Sequence, residues 1–196
     1  FGDVFKNNGG FDIVIANPPY IEHKKLKHIS KTLKPLYEVY SGSSDLSVYF
    51  FELAFNVLKK DGFIMFISTN KFFNTGYGKN LRKFLLTKHM HSLVNFEQVE
   101  VFKNVLVSVV IYLSQNTQTS NTLKFSEFKN EKDWKKDFYE KIKSRSTTFS
   151  QSILDENEWR FISKEQRKLK SKIEFNCERL ENIKGIEIKR GITTGF

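Results

Sequence analysis

The sequence predicts an α/β fold: a parallel sheet whose last strand runs antiparallel, followed by a helical linker. Apolar runs of strand length, rich in β-branched residues, alternate with amphipathic helical stretches up to residue 96, a pattern typical of parallel sheets. The last two predicted strands, 92–96 and 105–113, are joined by a connection that is too short for a crossover helix. These two strands should therefore be antiparallel, with the last one at the edge of the sheet.

The first elements alternate between strand and helix. The run FDIVIAN (11–17) predicts a buried strand, because it is nearly unbroken in apolar residues and stops at two prolines. Apolar residues at helical spacing predict helices over 45–60 and 79–89. Between these helices, FIMFIS (63–68) predicts a second buried strand. Parallel neighbours joined by helices would bring the carboxyl ends of these strands to one edge of the sheet.

The chain changes character after residue 115. A polar stretch of linker composition comes first, and the run TLKFSEF (122–128) is a candidate for one further strand. A charged helix is predicted over 130–143. Its apolar side would consist of Trp134, Phe138 and Ile142.

A stronger helix is predicted over 163–182. It opens with the capping-box pattern from Ser163 to Gln166, in which each side chain bonds the other residue's backbone. Its apolar residues recur at helical spacing, which predicts one buried face. That face would contain Leu169, Ile173, Cys177 and Leu180.

Composition limits the class of protein. The formal net charge is +10, from 32 Lys and Arg against 22 Asp and Glu. This charge favours a polyanionic partner such as nucleic acid. A solubilising lysine-rich surface is the alternative interpretation. The single cysteine, Cys177, leaves no internal disulfide and no zinc site of several thiolates, and fits a reducing, cytoplasmic setting. The longest apolar runs have strand length, so no membrane span is predicted. His89 and His91 have no third ligand type nearby, so no metal site is predicted.

The break after the first predicted strand carries the chemistry. The residues there are Asn17, Pro18, Pro19 and Tyr20. Ligands of open α/β sheets bind at the carboxyl ends of strands. The prolines fix the backbone and remove two amide donors, which leaves the Asn17 side-chain oxygen and the Pro18 carbonyl as acceptors. Two acceptors beside the flat ring of Tyr20 suit a planar exocyclic amine, which has two N–H donors and a π-face.

This arrangement resembles a known family. NPPY after an apolar strand resembles motif IV of the amino-group methyltransferases that use S-adenosylmethionine, and the flanking order resembles the gamma-class N6-adenine DNA methyltransferases of restriction–modification systems. FGDVF resembles motif III, DLSVYFFELAFNVLKKDGFIMFIST motifs V and VI, NKFFNTGYGKNLRKFL motif VII, and VNFEQVEVFKNVLVSVVIYL motif VIII. IKRGITTGF resembles the entry to the target-recognition domain. The resemblance implies a Rossmann-like methyltransferase domain.

The resemblance also implies residue roles. The Asn17 oxygen and the Pro18 carbonyl would accept hydrogen bonds from N6 of an adenine flipped out of double-stranded DNA, with Pro19 and Tyr20 completing the catalytic motif. Tyr20 and Phe102 would stack on the base. Those hydrogen bonds would favour a more pyramidal amine, whose freed lone pair attacks the sulfonium methyl in line.

Further residues are implied to bind the cofactor and DNA. Asp3 would contact the adenine of S-adenosylmethionine, with Phe5 packing nearby. The basic loop after Tyr20 is expected either to contact DNA phosphates or to form a solvated surface. Its lysines are Lys24, Lys25, Lys27 and Lys31.

The resemblance divides the chain into three parts: 1–115, a partial catalytic domain with motifs III to VIII; 116–184, a helical linker; and 185–196, the start of a truncated target-recognition domain. The family's glycine-rich cofactor loop precedes motif III, so we expect a segment of a longer bacterial protein that has an incomplete cofactor site and is inactive alone. Three alternatives stay open: methylation of a protein glutamine or an RNA base, a non-catalytic nucleic-acid-binding module, and an additional upstream nuclease domain.

Overall fold

A computed structural model gives the conformation of most of the chain. It describes residues 1–103, 107–117, 122–175, 177–178 and 180–187. The chain forms two compact units, Phe1–Arg160 and Phe161–Phe196. No helix among the described residues is long and apolar enough to cross a membrane.

Six strands and seven helices are described. The strands are β1 (Phe11–Ala16), β2 (Leu58–Thr69), β3 (His89–Glu97), β4 (Val109–Gln115), β5 (Thr122–Lys129) and β6 (Thr147–Ser150). The helices are α1 (Gly2–Asn8), α2 (His23–Leu26), α3 (Ser30–Leu33), α4 (Leu46–Val57), α5 (Lys79–Leu85), α6 (Phe138–Arg145) and α7 (Lys164–Glu174). Short 3-10 helices are Asn70–Phe73, Gly76–Gly78, Gln151–Ile153 and Leu180–Asn182.

The strands form one sheet in the order β1-β2-β4-β3-β5-β6. The pairs β1–β2 and β3–β5 are parallel, whereas β4 is antiparallel to both of its neighbours and β6 is antiparallel to β5. The prediction of an α/β fold with an antiparallel β3–β4 pair is confirmed. The prediction that β4 lies at the edge is wrong, because β4 inserts between β2 and β3. Its residues Val109, Val110 and Tyr112 are fully buried, so both of its faces need the cover that a central position gives.

Helices cover both faces of the sheet, to different extents. On one face, Phe51 of α4 packs against Phe66 and Tyr112 with ring centroids 5.1 Å and 5.3 Å apart. On the opposite face, Phe138 of α6 packs against Phe128 of β5 at 5.5 Å. That second face is open toward β1, where exposed apolar side chains pair across β1 and β2. These are Ile13 with Phe63 and Ile15 with Met65.

The region after residue 115 differs from its prediction. The candidate strand at 122–128 is confirmed as β5, and β6 follows it, so the sheet continues past the predicted boundary at 115. The predicted helix at 130–143 begins only at Phe138, because residues 130–133 are irregular and residues 134–137 form turns. The region between 116 and 184 is therefore part sheet and part helix.

The helix predicted at 163–182 is α7, and its capping box between Ser163 and Gln166 is confirmed. It ends at Glu174, eight residues short of the predicted end at 182. The prediction that its apolar side chains are buried is wrong, because spacing predicts a face but not a partner to cover it. Leu169, Ile173, Cys177 and Leu180 are all exposed. The motif at 188–196, which resembles the entry to a target-recognition domain, lies outside the described residues, and so does the start of the predicted strand at 105.

Candidate functional site

The Asn17 side chain lies at the carboxyl end of the parallel pair β1–β2. The last residue of β1, Ala16, pairs with Phe66 of β2. The chain then turns away with Pro18 buried and Pro19 exposed. Asn17 is exposed, and its side chain forms no hydrogen bond with any residue in the described part of the chain. Its amide is therefore available to a ligand at the edge of the sheet where open α/β folds bind them.

The Tyr20 side chain makes two contacts, one through its hydroxyl and one through its ring. Its hydroxyl donates a long hydrogen bond to the Ile67 carbonyl of β2, 3.3 Å away. Burial raises the pKa of Tyr20 to about 12, so the phenol stays neutral at physiological pH. The ring lies against Phe102, with centroids 6.3 Å apart and ring planes inclined by 60°. The structure thus brings together the two rings predicted to stack on a base.

Phe102 lies in the segment Gln98–Lys103 that follows β3, which we name the aromatic loop. Phe102 and Tyr20 are partly buried, and both pack against one apolar cluster on the face of the sheet that α6 covers. That cluster consists of Val94, Phe96, Val99, Val109 and Phe128. At 6.3 Å and 60° the Tyr20 and Phe102 rings contact each other as an ordinary aromatic pair. A base can therefore enter between them only if one ring moves.

A second contact of the aromatic loop comes from a residue to which the sequence assigned no role. The indole N–H of Trp134 donates to the Glu100 carbonyl at 3.2 Å. The same indole packs edge-on against Phe96, with centroids 5.0 Å apart. The apolar spacing of Trp134, Phe138 and Ile142 indicates a buried side of a helix. It contains no signal for the loop that this side would contact.

A polar network at the ends of β2 and β3 also went unpredicted. The Asn70 amide donates to the Asn95 oxygen at 2.8 Å and to Glu97 at 3.1 Å. The Asn95 amide in turn donates to Glu127 of β5 at 3.0 Å. Asn95 is buried, and a buried amide is costly unless its donors and acceptors are paired. These bonds join the chain leaving β2 to the carboxyl ends of β3 and β5, the edge at which Asn17 also lies.

Asp3 and Phe5 do not assemble with Asn17. Both lie on α1, and the rings of Phe1 and Phe5 contact Phe11 with centroids 5.7 Å and 5.8 Å away. Phe11 is the first residue of β1, whereas Asn17 follows its last, so the two ends are separated by roughly 20 Å at about 3.3 Å per residue. Asp3, between Phe1 and Phe5, is exposed. The cofactor contacts implied for Asp3 and Phe5 stay a prediction.

The basic loop after Tyr20 forms two short helices, α2 and α3. Its end is fixed by Glu52, whose buried carboxylate accepts hydrogen bonds from the Val39 and Glu38 amides at 3.0 Å and 3.2 Å. Its start is fixed where Leu46 donates to the Ile21 carbonyl at 2.9 Å. The lysines predicted to contact phosphate are all exposed on this anchored segment. They are Lys24, Lys25, Lys27 and Lys31.

Comparison with known proteins identifies methyltransferases of restriction-modification systems as relatives. The sequence model of the Eco57I restriction-modification methylase family matches residues 1–102. The type II restriction enzyme and methyltransferase RM.Eco57I of Escherichia coli is 31% identical over 199 residues, which cover 95% of this chain and 19% of that protein. The type II methyltransferase M.HincII of Haemophilus influenzae is 34% identical over 107 residues, 52% of this chain and 21% of that protein. The chain thus spans about a fifth of the length of these relatives.

Solved structures share the fold. The methyltransferase subunit of a type I restriction-modification system from Streptococcus thermophilus superposes with a TM-score of 0.55 at 18% identity, over 74% of this chain and 36% of that one. The type IIG restriction endonuclease BpuSI superposes with a TM-score of 0.51 at 14% identity, over 72% of this chain and 19% of that one. At these identities the likeness concerns the architecture of the sheet and its helices.

Proposed function

Since the chain belongs to the Eco57I restriction-modification methylase family, we propose that its protein methylates DNA at N6 of adenine. The observation that carries this proposal is the position of Asn17. Its amide, which bonds to no other residue in the described part of the chain, lies at the carboxyl end of β1, and Tyr20, three residues further along, packs its ring against Phe102. Acceptors for an amine and rings for a base therefore belong to one edge of the sheet.

The proposed role of the motif is to hold and orient the amine. The Asn17 side-chain oxygen and the Pro18 carbonyl accept the two N–H groups of N6. An amine held in this way is favoured in its pyramidal form, in which the nitrogen lone pair is available for attack. Because Pro18 is buried and neither proline can rotate about φ, the backbone that carries the two acceptors is held in place before the base arrives.

The proposed role of the rings is to accept the base once it has left the duplex. A flipped adenine needs stacking partners to replace those it loses in DNA. Tyr20 directly follows Pro18 and Pro19, whose φ angles are fixed, whereas Phe102 lies in a loop. We therefore assign the movement that admits the base to Phe102 and the fixed platform to Tyr20.

S-adenosylmethionine is the methyl donor that the resemblance implies. Asp3 and Phe5, the residues implied to contact it, lie near the start of β1, whereas Asn17 follows the end of that strand. The proposal for this chain therefore concerns the base and its amine. For the whole protein we further propose that double-stranded DNA is the partner and that the α2–α3 lysines contact its phosphates. The same proposal includes a nuclease domain, since RM.Eco57I is named a restriction enzyme, and a bacterial cytoplasmic location.

Replacement of Asn17 tests the proposal. In the full-length protein, Asn17→Ala should lower methyl incorporation into adenine-containing duplex by roughly 100-fold or more, as removal of a positioned polar group does elsewhere, with DNA affinity unchanged. Asn56→Ala, at an exposed asparagine of α4, is the matched control and should behave as the wild type. Undiminished methylation by Asn17→Ala would contradict the proposal. A wild-type protein that methylates a glutamine peptide or RNA, and leaves DNA unmodified, would also contradict it.

A further inference from the structure

We propose that Trp134 is a positioning residue that holds the aromatic loop, and through it Phe102, in place for the base. The effect on catalysis rests on the proposed function, whereas the effect on the loop does not. Trp134 lies in the turn segment before α6, in a region that carries none of the motifs discussed above. Its connection to Phe102 runs through a hydrogen bond to the aromatic loop, which the spacing of residues in the sequence does not reveal.

The contact between Trp134 and the loop is specific in direction. The indole N–H donates to the Glu100 carbonyl at 3.2 Å. That carbonyl belongs to the same planar peptide group as the Val101 amide, and the Val101 amide donates to the Val99 carbonyl at 2.9 Å. Fixing the Glu100 carbonyl therefore fixes the plane of the peptide that leads into Val101 and Phe102.

The indole ring is itself held by aromatic packing. Its ring centroids lie 5.0 Å from Phe96 and 5.5 Å from Phe138, and both contacts are edge-on. Phe96 belongs to the apolar cluster against which Phe102 and Tyr20 pack. Trp134 therefore contacts the aromatic loop at its backbone and the support of Phe102 at its ring.

Ion pairs fasten the Trp134 segment to α6. Glu131 accepts from Lys141 at 2.5 Å and from Arg145 at 2.6 Å. Lys141 also donates to the Asp133 carbonyl at 2.7 Å, next to Trp134. The Arg145 guanidinium lies over the Phe128 ring, 4.7 Å from its centroid. These contacts hold the turn that carries Trp134, and so fix the position from which its indole reaches the aromatic loop.

This arrangement suits a ring that must move and return. Because the Tyr20 and Phe102 rings contact each other, a base that enters between them displaces Phe102 while the loop backbone keeps its anchor. Without the indole bond, Phe102 would occupy its stacking position for a smaller fraction of the time. The turnover of bound DNA should then fall, whereas the affinity for DNA should stay unchanged.

The two tryptophans of the chain provide a matched pair of variants. Trp159 also donates its indole N–H to a backbone carbonyl, that of Asp155 at 2.8 Å, and it packs on Phe73 at 5.9 Å. Trp134→Phe and Trp159→Phe therefore make the same chemical change, the loss of one indole donor with an aromatic ring retained. Only the first of them removes a bond to the aromatic loop.

The test is amide hydrogen exchange in the full-length protein without DNA. Trp134→Phe should raise exchange within Gln98–Lys103 by roughly fivefold, the effect of losing one hydrogen bond, and Trp159→Phe should leave this segment at the wild-type rate. On plasmid DNA, Trp134→Phe should lower kcat for methylation by a similar factor without raising KM for DNA.

Two results would overturn the positioning role. One is wild-type exchange in the aromatic loop of Trp134→Phe, and the other is an equal rise in both variants, which would indicate general loss of stability. If the loop responds as expected but the wild-type protein does not methylate DNA, the positioning of the loop stands and the proposed function fails. If the loop responds but kcat does not change, the catalytic part of the inference is wrong.

Discussion

The Tyr20 side chain bonds in two directions that serve different purposes. Its hydroxyl reaches back to the Ile67 carbonyl, 3.3 Å away, and its ring reaches forward to Phe102. A hydroxyl bond of this length contributes little, because O–H···O bonds are normally shorter than 3.0 Å. The ring should therefore carry most of the contribution that we propose Tyr20 makes to base binding.

Substitutions at Tyr20 separate these two contributions. Tyr20→Ala removes a stacking surface and should lower kcat/KM for DNA methylation by about 5- to 150-fold, the range expected for about 1–3 kcal/mol of stacking. Tyr20→Phe keeps the ring and should stay within about threefold of the wild type, because only the long hydroxyl bond is lost. Steady-state methylation of plasmid DNA measures both. Equal losses in the two variants would show that the hydroxyl, and not the ring, is the functional group.

At the scale of elements, α6 and the turn before it connect the region after residue 115 to the candidate site. The helix covers β3 and β5 on the face where Tyr20 and Phe102 rest, and its ion pairs hold the turn that carries Trp134. Hydrogen bonds from Arg145 and Lys141 lower the pKa of Glu131 to about 2. The anchoring of α6 should therefore depend on pH.

Glu131→Gln tests this dependence. A carboxylate whose pKa is lower in the folded than in the unfolded state stabilises the fold above the unfolded pKa, near 4.5, and loses that effect as pH falls toward the folded pKa of about 2. The wild type should therefore melt at a higher temperature than Glu131→Gln at pH 7. The difference should shrink between pH 4.5 and pH 2 and then disappear.

Glu174→Gln is the control for this experiment, because Glu174 forms an exposed pair with Lys170 at 3.7 Å within α7. Exposed helix pairs of this kind contribute little to stability, so its melting temperature should follow the wild type at every pH. A constant difference between the wild type and Glu131→Gln down to pH 2 would mean that the carboxylate charge does not anchor α6.

At the scale of the whole molecule, local patterns predicted the kinds of element and missed their neighbours. Strand and helix alternation up to residue 96, the antiparallel β3–β4 pair and the capping box of α7 were all visible in the sequence, because each depends on residues close together in the chain. The central position of β4 was not, because a short connection fixes direction but not which second strand will pair. The burial predicted for α7 failed for the same reason.

The candidate site divides in the same way. The four residues from Asn17 to Tyr20 could be identified from the sequence, because one strand end and two prolines define them. Asp3 shows the limit of that reasoning. It lies close to the motif in the sequence but at the opposite end of β1, since a strand separates its two ends by its full length. Trp134 shows the converse, because it is distant in the sequence and in contact with the aromatic loop.

The identity of the methylated nucleoside decides whether the protein presents N6 of adenine to a methyl donor, as we propose. Plasmid DNA should be incubated with the full-length protein and S-adenosylmethionine, digested to nucleosides and separated by mass spectrometry. We predict N6-methyldeoxyadenosine as the product, and its loss in the Asn17→Ala protein. Methyl groups found on cytosine would contradict adenine N6 as the target. N6-methyldeoxyadenosine formed equally well by Asn17→Ala would contradict the proposed role of Asn17.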